Sequence, residues 1–196
     1  IPLVAQLLGP NIHLTNTALL YKYPHPSDAI ISRNWHRDLG VQLDIGHKHL
    51  PRLGLKVGYC LTDFTKPNSG ATLFVRKSHI FREPLAIPKV EVDPPVFENR
   101  IYHAPALNFT DTVAKVAIYG YHYCWVKPDY YLQYYNDKLQ PDELLLAKLD
   151  NVSRQLLGAQ EDTKGRIAPN GIHWALEEWA AHHNITLQRY PQVVES

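Results

Sequence analysis

From Leu14 to Val126 the chain repeats one pattern: short β-prone runs cut by glycine, proline and Asn/Asp turns. That repetition constrains the fold more than any single motif does. The runs are Leu14–Tyr23, Leu55–Phe64, Ala71–Val75 and the long Lys115–Val126. The breaks are Pro24-His25-Pro26-Ser27-Asp28, a loop over 43–54, the turn Pro67-Asn68-Ser69-Gly70 and an irregular stretch over 84–96 with four prolines. Strands this short, with no helical pattern between them, predict a sandwich or barrel. After Pro128 the period changes. Leu144, Leu145, Leu149, Val152, Leu156 and Leu157 recur at helical spacing between Pro141 and Gly158, which predicts one helix over 142–157. Residues 171–183, carrying Trp174 and Trp179, read as a second helix, and residues 1–13 as a short apolar lead-in. The expectation is a single domain over 1–196, with a β core over about 9–128 and a helical segment over about 141–184.

The chain is 196 residues long, enough for one sizeable core. Its 20 Lys+Arg balance 19 Asp+Glu, and no basic run stands out, so nucleic acid and anionic membranes are not expected partners. No apolar stretch approaches the roughly 18 residues that span a bilayer. Ile1-Pro2-Leu3-Val4 has no basic region before it and reads as domain interior, not as a signal peptide. Cys60 and Cys124 lie in apolar β-prone runs and read as buried free thiols in a reducing, cytoplasmic compartment, with a disulfide as the alternative. The chain contains no methionine, and the stretch before His103 is short. Residues adjacent here are therefore not expected to be adjacent everywhere in the gene, and short motifs deserve more weight than long spacings.

The chemistry-bearing residues are few. His36 and Asp38 stand two residues apart in Asn34-Trp35-His36-Arg37-Asp38, a step that points both side chains to one side of a strand. A further histidine, His103, follows in Tyr102-His103-Ala104-Pro105-Ala106-Leu107-Asn108. A histidine, a carboxylate at +2 and a distant histidine can close on one face of an octahedral metal and leave three positions open. That is the 2-His-1-carboxylate pattern of non-haem Fe(II) oxygenases. Alone, the tripeptide is a common accident in a chain with 11 histidines. His79 and His122 compete with His103 as the distal ligand; each lies in or beside a β run, where a packed, hydrogen-bonded histidine is the commoner outcome.

The surrounding residues sharpen the reading. Asn68-Ser69-Gly70-Ala71-Thr72-Leu73-Phe74-Val75-Arg76-Lys77-Ser78-His79 resembles the NGA-T-x-F-x-PGSH segment of the phytanoyl-CoA dioxygenase family. His103 through Asp111 is similar to that family's His-x-x-x-x-Asn-x-Ser-Asp stretch, and the parts occur in the family's order over about 9–128. The resemblance implies a mainly β fold, a double-stranded β-helix (jelly roll, cupin-like) with flanking and C-terminal helices. It implies an Fe(II)- and 2-oxoglutarate-dependent dioxygenase using O2, with His36, Asp38 and His103 as metal ligands and His79 as a structural or near-site residue.

Two departures stand out. The family places an arginine soon after the Asn-x-Ser segment to clamp the far carboxylate of 2-oxoglutarate; here the stretch is Thr112-Val113-Ala114-Lys115. Lys115 is the first substitute, as a point charge without the planar fork, and Lys22 the second, with Lys56 and Arg100 further off. Asn108 and Thr110 are expected either to touch the cosubstrate or to shape the turn. The glycine-containing turn and strand expected before the distal histidine are also shortened, around Val92–Phe97. Asp38 argues against a halogenase, which needs a small residue there. Aromatic residues, among them Trp35, Tyr59, Phe74, Tyr102, Tyr119 and Tyr121, serve the core or line a pocket for a small apolar or aromatic molecule, so secondary metabolism is the expected setting. The rivals are a cupin-type metal-binding jelly roll without turnover and a metal-dependent isomerase or hydrolase. A monomer and a homodimer are both compatible with the amphipathic C-terminal pattern.

Overall fold

The computed structural model describes residues 1–30, 35–38, 52–81, 96–126, 143–159 and 174–187. Most of the expected loop over 43–54, and nearly all of the proline-rich stretch over 84–96, lie outside these residues. The described elements are mainly β. They run α1 (Pro2–Leu8), β1 (Ile12–Lys22), β2 (Gly54–Cys60), β3 (Thr72–Phe74), β4 (Val96–Glu98), β5 (His103–Pro105), β6 (Ala114–Tyr123), α2 (Glu143–Leu146), α3 (Asn151–Leu156) and α4 (Ala175–His182). The four expected strands are present: β1, β2 and β6 begin one or two residues earlier than expected and all four end sooner, and β4 and β5 join them. Pro24 and Pro67 stand beyond β1 and β2, where an absent N–H costs no ladder bond.

The strands form a four-stranded sheet in the order β1-β6-β2-β4 and a two-stranded sheet of β3 and β5. β2 and β4 run antiparallel with Lys56 opposite Phe97; β3 and β5 run antiparallel with Phe74 opposite His103. His36 extends the smaller sheet through an antiparallel bridge to His103. Taken in chain order, β1, the His36 segment, β2, β3, β4, β5 and β6 fall alternately in the larger and the smaller sheet.

The chain forms two compact units, residues 17–120 and residues 1–16 with 121–196. In the first, Leu53, Leu55, Leu73, Phe74, Tyr102 and Ala104 make the core. In the second, Val4, Leu8 and Ile12 are buried together with Leu156, Leu176 and Ala180 as its apolar set. The lead-in is a helix, α1, begun by Pro2, whose fixed φ and missing N–H suit a first turn.

Two expectations need correction. The helix over 142–157 is two helices. Asp150 leaves the helical conformation, and its Oδ1 accepts from the Ser153 backbone N–H at 2.7 Å, so it starts α3 afresh as an N-cap. Cys60 is a free thiol but an exposed one, at the end of β2 where the strand's face opens to solvent; Cys124 is free and half-buried. Among the described residues no helix is long and apolar enough to cross a membrane.

Candidate metal centre

Three chain segments build the site, all within residues 17–120. His36 and His103 exchange both backbone bonds, N–H to O at 3.1 and 3.0 Å, which brings their side chains to the same place on the sheet. The Asp38 N–H donates to the Asn99 carbonyl at 3.1 Å. Arg37, between the two ligands, faces the other way, as strand alternation requires, and is buried. Its Nη2 donates to the carbonyl oxygens of Ser78 and Phe81, and its guanidinium carbon lies 4.3 Å from the Tyr102 ring centroid. Ser78 Oγ accepts from the Tyr102 N–H at 2.8 Å, and the Val75 N–H donates to the Tyr102 carbonyl at 2.9 Å. The turn at Ser78 thus grips Arg37 and Tyr102, the immediate neighbours of all three candidate ligands.

On the face opposite Arg37 the donor atoms converge. Asp38 Oδ1 lies 3.9 Å from His36 Nε2 and 3.6 Å from His103 Nε2, and one ligand atom from each residue falls within 4.8 Å of the others. The two imidazole centroids are 4.3 Å apart, tilted by 54°. His103 Nδ1 is 3.0 Å from the Ile101 carbonyl, which can only accept. Nδ1 therefore carries the hydrogen and Nε2 keeps its lone pair for a metal. Burial holds the His103 imidazole below the ordinary histidine range, against the pull of Asp38, and so favours the neutral, ligating form. Metal–ligand bonds of about 2.1 Å set neighbouring donors on an octahedral face about 3 Å apart. Asp38 Oδ1 stands within about 1 Å of that spacing from both histidine nitrogens, and with all three donors inside 4.8 Å the residues fit a mononuclear metal. Lys56 Nζ lies 3.0 Å from the other carboxylate oxygen, Asp38 Oδ2.

The remaining predicted residues are placed as follows. His122 is buried against Thr15, hydrogen-bonded through Nδ1, and belongs to the other compact unit. His79 sits in the short 3-10 turn Ser78–Ile80 and is no member of the cluster. Asn108 is fully buried, and all of its amide is spent on the loop. Its Nδ2 donates to the carbonyls of Lys22 (2.9 Å) and Thr112 (2.7 Å), and its Oδ1 accepts from Thr110 N–H and Oγ1. The same loop bonds back to the Asn68 turn, since the Phe109 N–H donates to the Asn68 carbonyl at 2.8 Å. Lys22 Nζ donates to the Gly70 carbonyl at 2.6 Å, and burial pushes its ammonium below the ordinary lysine value. Lys115 is exposed, with Nζ 5.8 Å from the Tyr21 ring centroid. Sequence reasoning missed the clamp of Arg37 and Ser78 and the ion pair of Lys56 with Asp38. Strand alternation was the available signal for Arg37; nothing local pointed to the other two.

The described residues define a mainly β protein that gathers two histidines and one carboxylate into a cluster able to hold a metal ion. No family model and no curated protein matches the chain. Solved structures similar to it include a non-heme monooxygenase, ThoJ, as its nickel complex (25% identity, TM-score 0.44, 63% of this chain and 49% of that one). Another is the non-heme α-ketoglutarate-dependent epimerase SnoN from nogalamycin biosynthesis (19% identity, TM-score 0.43, 57% and 49%). A third is HygX from Streptomyces hygroscopicus with nickel and 2-oxoglutarate bound (15% identity, TM-score 0.49, 67% and 66%). The chain spans about half the length of the first two. Similarity of this extent defines neither the fold nor the chemistry of this protein; its own side chains do.

Proposed function

We propose that this protein is an Fe(II)- and 2-oxoglutarate-dependent oxygenase that oxidises, most simply hydroxylates, a C–H bond of a small organic molecule. The observation that carries the proposal is the convergence of His36, Asp38 and His103, from two distant stretches of sequence, on donor atoms within 4.8 Å of one another. We further propose that the scaffold is a double-stranded β-helix, which the alternation of consecutive strands between two sheets supports.

His36 Nε2, Asp38 Oδ1 and His103 Nε2 would hold the metal, and one carboxylate with two neutral imidazoles keeps the site's charge low. When bound, iron and 2-oxoglutarate together supply a two-electron oxidation, in which O2 gives one atom to succinate and the other to the substrate, with release of CO2. The chain's own work is positional. The Ile101 carbonyl fixes the His103 tautomer, Phe74 sets its ring 6.1 Å from that of His103, and the buried side of the site excludes water. The His36 side chain is 42% exposed, so the substrate would enter from that side. For the far carboxylate of 2-oxoglutarate the candidates are Lys115 and Lys22. Burial favours Lys22, where a charge interacts more strongly than on the exposed β6 surface. Asn108 and Thr110 would hold the loop beside it.

The missing arginine also supports a second reading, a metal-binding jelly roll without turnover. The experiment that separates them is succinate release from 2-oxoglutarate with Fe(II) and O2. Release that vanishes in Asp38→Ala supports the oxygenase. Absence of succinate in the wild type with a broad set of small molecules, together with tight metal binding, supports the second reading. Lys22→Met and Lys115→Met, compared by the 2-oxoglutarate concentration each needs, assign the cation.

A further inference from the structure

We infer that Lys56 is a positioning residue that fixes Asp38 as a one-oxygen metal ligand. The inference rests on the metal-centre reading above. Lys56 comes from β2 in the larger sheet, and Asp38 from the segment joined to the smaller one. Lys56 Nζ stands 3.0 Å from Asp38 Oδ2, both side chains being less than a fifth exposed, while Oδ1 faces the two histidines. The same stretch of β2 holds the backbone of Asp38 indirectly. The Asp38 N–H donates to the Asn99 carbonyl at 3.1 Å, and the Asn99 N–H to the Gly54 carbonyl at 3.4 Å. Both the main chain and the outer oxygen of Asp38 are therefore tied to residues 54–56.

The consequence follows from counting coordination positions. A carboxylate with a free outer oxygen can rotate and chelate a metal with both oxygens. With two histidines, that would leave two of six octahedral positions open. A 2-oxo acid that chelates needs two, and O2 needs a third. An ammonium on Oδ2 keeps that oxygen off the metal and preserves the third position. Lys56 also adds a positive charge beside a site that takes a dianionic cosubstrate. Its charge also repels the metal, so removing it both frees Oδ2 to chelate and lifts a repulsion; the coordination of the ion, more than its affinity, reads the role.

The test uses Co(II) as a probe of the metal-free protein, read by affinity and by visible ligand-field absorption, which depends on coordination number. Lys56→Met, which frees Oδ2 to join Oδ1 on the metal, is expected to alter the Co(II) spectrum while binding the ion at least as tightly as the wild type. Lys56→Gln, whose amide can donate to Oδ2 without a charge, is expected to keep the wild-type spectrum. An unchanged spectrum in Lys56→Met, or a Lys56→Gln spectrum like that of Lys56→Met, overturns the inference. Should Lys56→Met fail to fold, Lys56→Ala with added ethylammonium replaces it; a restored wild-type spectrum supports the role and none overturns it. A wild type that binds no Co(II), or an Asp38→Ala variant that binds it equally well, overturns the metal centre itself. Asp38-dependent binding with a spectrum that ignores Lys56 overturns only the present inference.

Discussion

Gly70 sits at φ +81°, and a methyl group on it would stand 3.1 Å from Asn108 Cβ and 3.3 Å from Lys22 Cδ. The left-handed backbone and the two close neighbours both exclude a side chain, so Gly70→Ala should cost about 1–3 kcal/mol in denaturant unfolding. A cost under a few tenths would mean that the Asn108 loop is loose. Lys77 is the opposite case. It holds φ +60° with an exposed side chain. Lys77→Gly should therefore stabilise the protein by about 0.5–1 kcal/mol, the relief of left-handed strain less the added freedom of the unfolded chain. At this scale the pairing of His36 with Asp38 was legible, because a two-residue step on a strand fixes which side chains share a face, and Arg37 could have been read as the clamp for the same reason. Lys56 was not legible as the partner of Asp38. Its reach to Oδ2 depends on how β2 lies against the His36 segment, a register that no local spacing encodes.

β1, β2, β3 and β6 were legible because β-prone runs bounded by Pro and Gly have few other uses; β4 and β5, three residues each, were not, because so short a strand is set by its partner and not by a pattern of its own. The strand order was not legible either, since adjacent strands in the sheet, such as β1 and β6, are far apart in sequence. The C-terminal helices show the converse failure. Hydrophobic period alone ran straight through Asp150, although Asp150-Asn151-Val152-Ser153 carries a cap signal. Asp150→Ala should cost about 1 kcal/mol and Asp150→Asn almost nothing, because asparagine caps equally well. The Ser153 N–H holds the Asp150 carboxyl below the usual carboxylate range. A depressed folded-state value means that its contribution is present above the unfolded value and is lost as pH falls through the folded one. The gap between wild type and Asp150→Ala should therefore close in acid, measured as unfolding midpoints from pH 6 downwards. Gln155 joins these elements from inside. Its Nε2 donates to the Pro10 carbonyl at 2.7 Å, and its Oε1 accepts from the Leu176 N–H at 2.9 Å, with the side chain almost wholly buried. Gln155→Leu keeps the volume but strands a donor and an acceptor. A loss of about 2–4 kcal/mol is expected, since each orphaned buried group costs about 1–3; a neutral result would show that water reaches both.

For the whole molecule, the metal matters as a cross-link. His36 and Asp38 are separated from His103 by more than sixty residues of sequence and are brought together only in the folded state. An ion bound by the folded protein alone raises stability by about 2.7 kcal/mol when its free concentration is a hundred times Kd. Co(II) or anaerobic Fe(II) should therefore raise the unfolding temperature of the wild type in a concentration-dependent way and leave Asp38→Ala unmoved. Amide exchange gives the position of that gain. The His36 and His103 N–H groups bond to each other's carbonyls, and Phe74 faces His103 across β3 and β5. Slowing should therefore be greatest at these amides and weaker at α3 and α4, which belong to the other compact unit. Uniform slowing across the chain would mean that the two units open as one cooperative body. Slowing confined to α3 and α4 would place the ion elsewhere and remove the metal centre from this site.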